Sequence, residues 1–404
     1  MTKFNIGKWL GVGCLYIMAA CQPTPEKNTL ADTDLIFRKA ETQTMLMAEH
    51  LLKQDTLLPR SFEDGEITTS SSRWWTSGFF PGTLWLVYEQ TRNPQTLEMA
   101  RNYTERVRRE QFTTNNHDIG FMLYCSFGNG LRITKDSTYI PVLLQGAESL
   151  STRFNPKVGL IRSWDDFTDK WQYPVIIDNM MNLELLYWAS KVSGNKKYAD
   201  IATQHAEKTM KEHFRKNYSC YHVVSYDTIS GQPKAKQTNQ GCADESAWAR
   251  GQAWALYGYT MVYRETQDKR FLHHAEKVAD FLINHPTMPQ DGIPYWDFDA
   301  PDIPNVPRDA SSAAIMASGL LELSQYVSEK EKANQYFKFA EKQLSTLCSS
   351  QYTAEIGENG FFILEHSVGN MPIDSEIDAP LTYADYYYLE ALSRYKKLTE
   401  KTEP

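Results

Sequence analysis

Two aspartates, Asp118 and Asp178, are the residues of this sequence best suited to acid–base chemistry. Each stands at the start of a segment rich in glycine, alanine and aromatic residues. A carboxyl pair can transfer protons when burial or a neighbouring charge raises the pKa of one member. Asp178 follows the apolar run 174–177, so we expect it to be the desolvated proton donor. Asp118, beside His117, is expected to lie in a more polar setting and to act as an electrostatic or orienting partner.

Aromatic, basic and amide side chains stand at equivalent positions of other segments. Such groups can stack on a sugar ring and hydrogen-bond to its hydroxyls, whereas helix capping accounts only for the small polar residues. Arg250 is the best candidate for binding a substrate carboxylate, with a structural ion pair as the alternative. The candidates at segment starts and in the preceding loops are Trp75, His117, Trp164, His222, Gln240, Trp248, Arg250 and Tyr383. Loops 171–173 and 291–297 carry further candidates.

Six segments of this glycine-, alanine- and aromatic-rich kind recur along the chain. They carry little charge around their circumference, which is typical of helices buried on all sides. Their ranges are 78–89, 119–131, 179–192, 249–264, 313–327 and 383–395. Polar turns follow the first five, at 91–94, 134–137, 193–196, 266–269 and 328–331. Amphipathic helices come after these turns, and a sixth, 35–52, precedes the first segment.

Six buried helices that alternate with six amphipathic ones predict an all-α fold, a single (α/α)6 barrel with an inner ring inside an outer ring. The alternative is an open helical solenoid, but no capping repeat stands out. In an alternating double ring all inner helices run in the same direction, so their N-termini share one end. We therefore expect the candidate side chains to meet in one bowl at that end of the barrel.

Charge and motif content limit the partners. The chain has 404 residues, and 42 Lys and Arg against 50 Asp and Glu give a net charge of −8. Basic residues form no dominant block, which argues against nucleic acid as a partner. Neither an HExxH-type metal spacing nor a glycine-rich phosphate loop is present in the sequence, so we predict no metal and no cofactor. Cys220 and Cys242 could form a disulfide in an oxidising compartment or remain buried thiols.

The N-terminal residues are typical of an export signal. A positively charged start precedes the apolar run 9–20, which is too short to span a bilayer. The run ends in Met-Ala-Ala-Cys, which resembles a lipobox and predicts cleavage before a lipid-modified Cys21. The alternative is an ordinary secretory signal with an incidental cysteine. We predict a signal peptide with its lipobox cysteine over 1–21, a tether over 22–34 and one catalytic barrel over 35–400. Such a lipoprotein would lie in the periplasm or outer membrane of a Gram-negative bacterium, touching the membrane only through its anchor.

The sequence resembles glycoside hydrolase family 88, the unsaturated glucuronyl hydrolases, from Leu35 to the C-terminus. The order and spacing of five stretches carry the resemblance. They are Trp-Thr-Ser-Gly-Phe-Phe-Pro-Gly at 75–82, His-Asp-Ile-Gly-Phe at 117–121, Asp-Asn-Met-Met-Asn at 178–182, Ala-Trp-Ala-Arg-Gly-Gln-Ala-Trp at 247–254 and Tyr-Ala-Asp-Tyr-Tyr at 383–387. The resemblance implies the same (α/α)6 barrel.

The resemblance also implies a reaction. Polysaccharide lyases leave a 4,5-unsaturated uronic acid at the non-reducing end of oligosaccharides, and family enzymes hydrate its double bond. Asp178 would protonate C4 and help water add at C5, and Asp118 would be the second essential carboxylate. The resulting hemiketal would collapse and release the neighbouring sugar without a metal or redox cofactor. Trp254 would join the eight candidates above in lining the substrate subsite.

Three other functions remain open on these residues. A sister activity on unsaturated rhamnogalacturonyl fragments of pectin uses the same barrel. The His117–Asp118 pair and the Trp248/Arg250 cluster favour family 88 and glycosaminoglycan-type fragments. A sugar epimerase would need several catalytic histidines, and only His117 and His222 are well placed. A non-catalytic glycan-binding lipoprotein would leave both aspartates unexplained.

An anionic substrate would have to overcome the charge of the chain. Cleavage before Cys21 removes two lysines and leaves a net charge of −10, which opposes anionic oligosaccharides at long range. A locally basic bowl is therefore expected, with Arg250, Lys234 and Lys236 as its candidates. Heparin, chondroitin, hyaluronan and ulvan fragments all fit this expectation, and the sequence leaves the oligomeric state open.

Overall fold

The computed structural model describes residues 1–2, 30, 32–54, 56–167 and 169–400. Cys21 and nearly all of the predicted signal and tether lie outside these residues. Within them the chain forms 13 α-helices. They are α1 (Thr33–Leu51), α2 (Phe79–Thr91), α3 (Pro94–Val107), α4 (Ile119–Leu123), α5 (Asn129–Thr134), α6 (Ile140–Ser151), α7 (Leu183–Ser193), α8 (Lys196–Glu212), α9 (Ala249–Thr266), α10 (Lys269–Ile283), α11 (Ala310–Leu323), α12 (Lys330–Leu347) and α13 (Thr382–Glu400).

These helices form a closed double ring. The inner ring runs α2, α4 with α5, α7, α9, α11 and α13, and each member contacts the next. The ring closes because α13 also packs on α2. The outer ring consists of α1, α3, α6, α8, α10 and α12, and each of these packs on the inner helices beside it. The predicted (α/α)6 barrel is thus confirmed, and the open solenoid is excluded.

Burial separates the two kinds of helix as the sequence predicts. Inner helix α9 buries 14 of its 18 residues, whereas outer helix α10 buries a single stripe spaced three or four residues apart. Small residues allow the inner helices to approach closely. A Cβ placed on Gly258 of α9 would lie 2.5 Å from the Cβ of Met180. A larger residue at that position would push the two inner segments apart.

The recurring polar turn has a common local cause. Its second residue ends the inner helix in the left-handed conformation, as at Arg92 and Gln267, with φ near +57° in both. Its third residue caps the outer helix with its side chain, as when Asp268 accepts a hydrogen bond from the Arg270 N–H at 2.9 Å. Such a turn reverses the chain within four residues, so consecutive helices pack as antiparallel neighbours.

Nine short strands decorate one end of the barrel. All of their sheets are antiparallel and lie in loops that run from an outer helix to the next inner one, at the inner N-termini. They pair β1 (Leu57–Glu63) with β2 (Glu66–Ser71), β3 (Phe154–Asn155) with β4 (Leu160–Ile161), β5 (Pro174–Ile176) with β6 (Val223–Tyr226) and β7 (Pro233–Gln237), and β8 (Ser367–Asn370) with β9 (Ser375–Ala379). These loops build the wall of the bowl.

Three details differ from or extend the sequence predictions. The second inner helix, predicted as one segment over 119–131, is split by a π-helical turn, Tyr124–Gly128, into α4 and α5. The cysteines over the described ranges are free thiols, so Cys220 and Cys242 are not paired. A search of the described helices finds none with both the length and the apolar character of a membrane span.

Candidate active site

Asp118 and Asp178 lie at the starts of neighbouring inner segments. Asp118 is the N-cap residue of α4, and Asp178 lies in the 3-10 turn, Ile177–Asn182, that leads into α7. Asn182 fixes the two segments together, because its side-chain oxygen accepts a hydrogen bond from the Phe121 N–H at 2.8 Å. Gly120 makes this approach possible, since a Cβ there would lie 2.5 Å from the Asn182 Cα.

Both carboxyl groups are desolvated. Asp118 is 8% exposed and Asp178 is 7% exposed. Burial raises the pKa of Asp118 to about 8, and the negative charge of Asp178 raises it further, against the charge of Arg153. Burial raises the pKa of Asp178 to about 7, against the opposing charge of Arg250 and the indole of Trp254. Near neutral pH the pair therefore holds protons that an exposed aspartate would have lost.

The expectation of a more polar setting for Asp118 is wrong. Its pKa is raised at least as strongly as that of Asp178, because the whole inner ring excludes water from both positions. Local sequence could not reveal this, since the burial comes from helices far apart in the chain. The two residues differ in their neighbours instead. Asp178 Oδ2 has no hydrogen-bond partner among the described residues and is available to a ligand.

A neutral histidine faces each aspartate. His222 Nδ1 accepts hydrogen bonds from the N–H groups of Asn239 and Gln240 at 3.1 and 3.2 Å. The neutral ring therefore carries its hydrogen on Nε2, which lies 3.8 Å from Asp178 Oδ2. Burial lowers the pKa of His222 to about 3. His117 Nε2 lies 3.4 Å from Asp118 Oδ1, and burial holds its pKa well below the usual range.

Aromatic rings form the rest of the bowl. Trp75 and Tyr383 pack with ring centroids 4.9 Å apart, and Trp254 packs on Phe121 at 5.2 Å. Trp248 lies 4.6 Å from His222 and Trp164 lies 6.1 Å from it, between ring centroids. The Trp254 indole nitrogen and the Tyr383 hydroxyl are buried and have no partner among the described residues. The structure thus brings these predicted residues together around unsatisfied donors.

Arg250 and Gln240 meet on the same backbone segment. Arg250 Nη1 donates to the Val368 carbonyl, and Nη2 donates to the Gly369 carbonyl at 2.6 Å. Its Nη1 also lies 3.5 Å from the buried carboxylate of Asp309. Gln240 Nε2 donates to the same Gly369 carbonyl at 3.2 Å. Both side chains reach the bowl, but their visible contacts hold β8 in position.

Several other candidates have structural roles. The Trp171 indole donates to Gln237, and the Tyr173 hydroxyl donates to backbone carbonyls, so loop 171–173 is part of the wall packing. Asp297 accepts bonds from Cys242 N–H and from the Ser246 hydroxyl. These polar groups are fully used within the protein, which removes loops 171–173 and 291–297 from the site.

A cavity of about 600 Å³ lies at the opposite end of the barrel. Its carboxylates are paired with arginines, as in Glu89 with Arg132 at 2.6 Å, so it offers no free acid. Over the described ranges, no group of three or more His, Cys, Asp or Glu side chains could hold a metal ion. The two aspartates in the bowl are therefore the groups placed for proton transfer.

The comparisons with known proteins agree with this site. A family model for glycosyl hydrolase family 88 matches residues 53–399. The chain belongs to glycoside hydrolase family 88. It is 50% identical over 331 residues to an unsaturated glucuronyl hydrolase of Formosa agariphila, covering 82% of each chain. It is 31% identical to an unsaturated chondroitin disaccharide hydrolase of Streptococcus agalactiae, over 80% of this chain and 81% of the relative.

Solved structures of family 88 enzymes share the fold. A crystal structure of an unsaturated glucuronyl hydrolase specific for heparin is 51% identical, with a TM-score of 0.88, and the match covers 92% of this chain and 98% of that one. The enzyme from Bacillus sp. GL1 is 29% identical with a TM-score of 0.83, over 89% of this chain and 97% of that one. The predictions of a glycoside hydrolase and of its family are confirmed.

Proposed function

We propose that this family 88 enzyme removes the 4,5-unsaturated uronic acid from the non-reducing end of lyase-generated oligosaccharides. The observation that carries the proposal is the pair of buried carboxyl groups, Asp118 and Asp178, whose pKa values are raised to about 8 and about 7 at one end of the barrel. A protonated carboxyl is required to add a proton to a carbon–carbon double bond, and an ordinary aspartate would be ionised at neutral pH.

The reaction follows from the placement of Asp178. Its carboxylic acid gives its proton to C4, and the ring oxygen stabilises the positive charge that develops at C5. A water molecule adds at C5 and returns a proton to the Asp178 carboxylate. The product is a hemiketal, which opens to a ketone at C5. The C1 centre, now a hemiacetal, collapses to an aldehyde and expels the neighbouring sugar as an alcohol.

The surrounding residues favour this sequence. The charge of Asp118 keeps the neighbouring carboxyl protonated, as the mutual influence of two close acids requires. His222 presents an Nε2–H towards Asp178 and can orient it without competing for its proton, because the pKa of His222 lies near 3. The aromatic bowl supplies faces for the sugar ring. This assignment of roles is a prediction for each residue.

Glycosaminoglycan fragments are the proposed substrates, and heparin-type fragments the first of them. Support comes from the relatives, since the heparin-specific enzyme is 51% identical to this chain and the chondroitin-specific one is 31% identical. The test is a panel of unsaturated disaccharides made by lyases from heparin, chondroitin, hyaluronan, ulvan and pectin. We expect loss of the ultraviolet absorbance of the double bond, fastest for a glycosaminoglycan member. Turnover of the pectin member alone would contradict the proposed substrate class.

We further propose that the chain is exported and anchored by lipid on Cys21, with the barrel in the periplasm or at the outer membrane. The lipobox-like end of the apolar run supports this proposal. In a Gram-negative host, Cys21→Ser should move the protein from the membrane fraction to the soluble or precursor fraction. Cys14→Ser, seven residues earlier in the same signal, is the matched control and should leave the fractionation unchanged. Membrane association of the Cys21→Ser protein equal to that of the wild type would contradict the anchor.

A further inference from the structure

An arginine and a tryptophan form an unassigned pair at the edge of the bowl. Arg60 lies on β1, and its guanidinium carbon is 4.3 Å from the ring centroid of Trp74. Trp74 immediately precedes Trp75 of the bowl and is 40% exposed. An exposed indole beside a cation is uncommon on a protein surface without a ligand, because the ring gains free energy when it is covered.

A short chain of contacts links Arg60 to the bowl. Its Nε donates to Glu376 on β9, and the Glu376 side chain packs against Gly369 so closely that a Cβ there would lie 2.4 Å from Glu376 Oε2. The Gly369 carbonyl is the one that Arg250 and Gln240 share. Arg60 therefore lies one layer outward from the bowl, on the side from which an oligosaccharide would extend.

Arg60 retains unused hydrogen-bond donors. Only its Nε is engaged, and neither terminal nitrogen has a partner among the described residues, while its side chain is 23% exposed. The cations expected from the sequence are committed elsewhere. Arg250 is bound to carbonyls, Lys234 donates to Gln172 at 3.2 Å, and Lys236 lies over Tyr221. The basic group that the acidic chain needs at the bowl is thus Arg60.

The chemistry of the pair identifies its ligand. A guanidinium with two free terminal nitrogens forms paired hydrogen bonds with an oxyanion. In an unsaturated disaccharide the carboxylate belongs to the uronic acid inside the bowl, so an anionic group on the second sugar is a sulfate. We propose that Arg60 binds a sulfate on the sugar that follows the unsaturated uronic acid, and that Trp74 stacks on the ring of that sugar. This inference rests on the proposed function and names the substrate feature that it favours.

The test compares two disaccharides with the same backbone, one sulfated on the second sugar and one unsulfated. For Arg60→Ala in the otherwise intact chain, kcat/KM should fall about ten-fold on the sulfated substrate, mainly through KM, which corresponds to one charge-assisted contact. The unsulfated substrate should change by less than about two-fold, since no oxyanion is there to lose. Arg60→Lys should lose part of the preference, because it keeps the charge and the Glu376 partner without the planar fork. Trp74→Ala should weaken both substrates.

Arg270→Ala is the matched control. Arg270 also pairs with carboxylates, Asp268 and Glu207, and also lies over an aromatic ring, but it stands at the start of outer helix α10, at the far end of the barrel. It should leave the ratio of the two rates unchanged. Equal losses on both substrates in Arg60→Ala and Arg60→Lys, or no loss on either, would overturn the sulfate site while leaving the hydrolase intact. Absence of turnover on both substrates by the wild type would overturn the proposed function and the site together.

Discussion

Asp178→Asn should lose about 10²–10⁴-fold in kcat while still binding substrate, because an amide cannot give a proton to C4. The side chain keeps its size, so the aromatic bowl and the position of His222 should be preserved. Binding measured by calorimetry with an unsaturated disaccharide should remain within a few-fold of the wild type. Turnover close to that of the wild type would overturn the assignment of Asp178 as proton donor.

Stability separates this loss from misfolding. The pKa of Asp178 is about 7 in the folded protein against an ordinary value of 3.8, so folding favours the protonated form. The ionised carboxyl therefore opposes folding as the pH rises from 3.8 through 7, and that penalty is fully present above pH 7. Asn carries no such charge, so Asp178→Asn should have an unchanged or higher Tm at pH 8.

Asp385→Asn is the structural counterpart of this experiment. Asp385 is also buried at the start of an inner helix, and burial raises its pKa to about 7. Its carboxylate, however, accepts hydrogen bonds from the N–H groups of Ile363 and Leu364 at 2.9 and 2.8 Å. Replacement should lower Tm, because an amide can serve only one of those donors well. Turnover of the folded fraction should persist.

Asp118→Asn should move the pH profile as well as lower the rate. The two carboxyls titrate as a coupled pair, and the charge of one raises the pKa of the other. In the wild type, kcat/KM should fall as the pH rises through about 7 to 8, when the donor loses its proton. Without the Asp118 charge the pKa of Asp178 falls, so the alkaline limb should shift to lower pH. At pH 7.5 we expect a loss of about ten-fold or more.

The direction of the shift distinguishes electrostatics from simple damage. A variant that merely distorts the bowl lowers kcat/KM at every pH by a similar factor and keeps the position of the alkaline limb. Asn182→Ala is the matched comparison, because Asn182 fixes the two segments without carrying charge. It should lower the rate with a smaller movement of the limb. An unmoved limb in Asp118→Asn would contradict the coupling.

The helices of this fold could be predicted because their causes are local. Inner and outer helices differ in burial pattern, and the four-residue turns combine a left-handed residue with a capping side chain. The bowl followed from direction alone, since alternating helices place all inner N-termini at one end. The candidates Trp75, Tyr383 and Trp254 accordingly share that bowl in the structure.

The features that sequence did not reveal depend on distant contacts. Arg60 meets Glu376 across 316 residues, and Arg250 meets its carbonyl acceptors across 118 and 119 residues. No local pattern marks such partners, so Arg250 was expected at the substrate and Arg60 was not considered. The high pKa of Asp118 has the same origin in long-range burial. Asn182 lay within a motif-like stretch, but its bond to Phe121 required the structure.

One paired measurement tests the central claim most directly. In deuterated water, the wild-type protein acts on an unsaturated glycosaminoglycan disaccharide while the absorbance of the double bond and the release of the second sugar are recorded together. The account predicts that both change in step, one molecule each, and that deuterium is found at C4 of the product at early times. Release of the second sugar with the absorbance retained, or no reaction with any member of the panel, would contradict it.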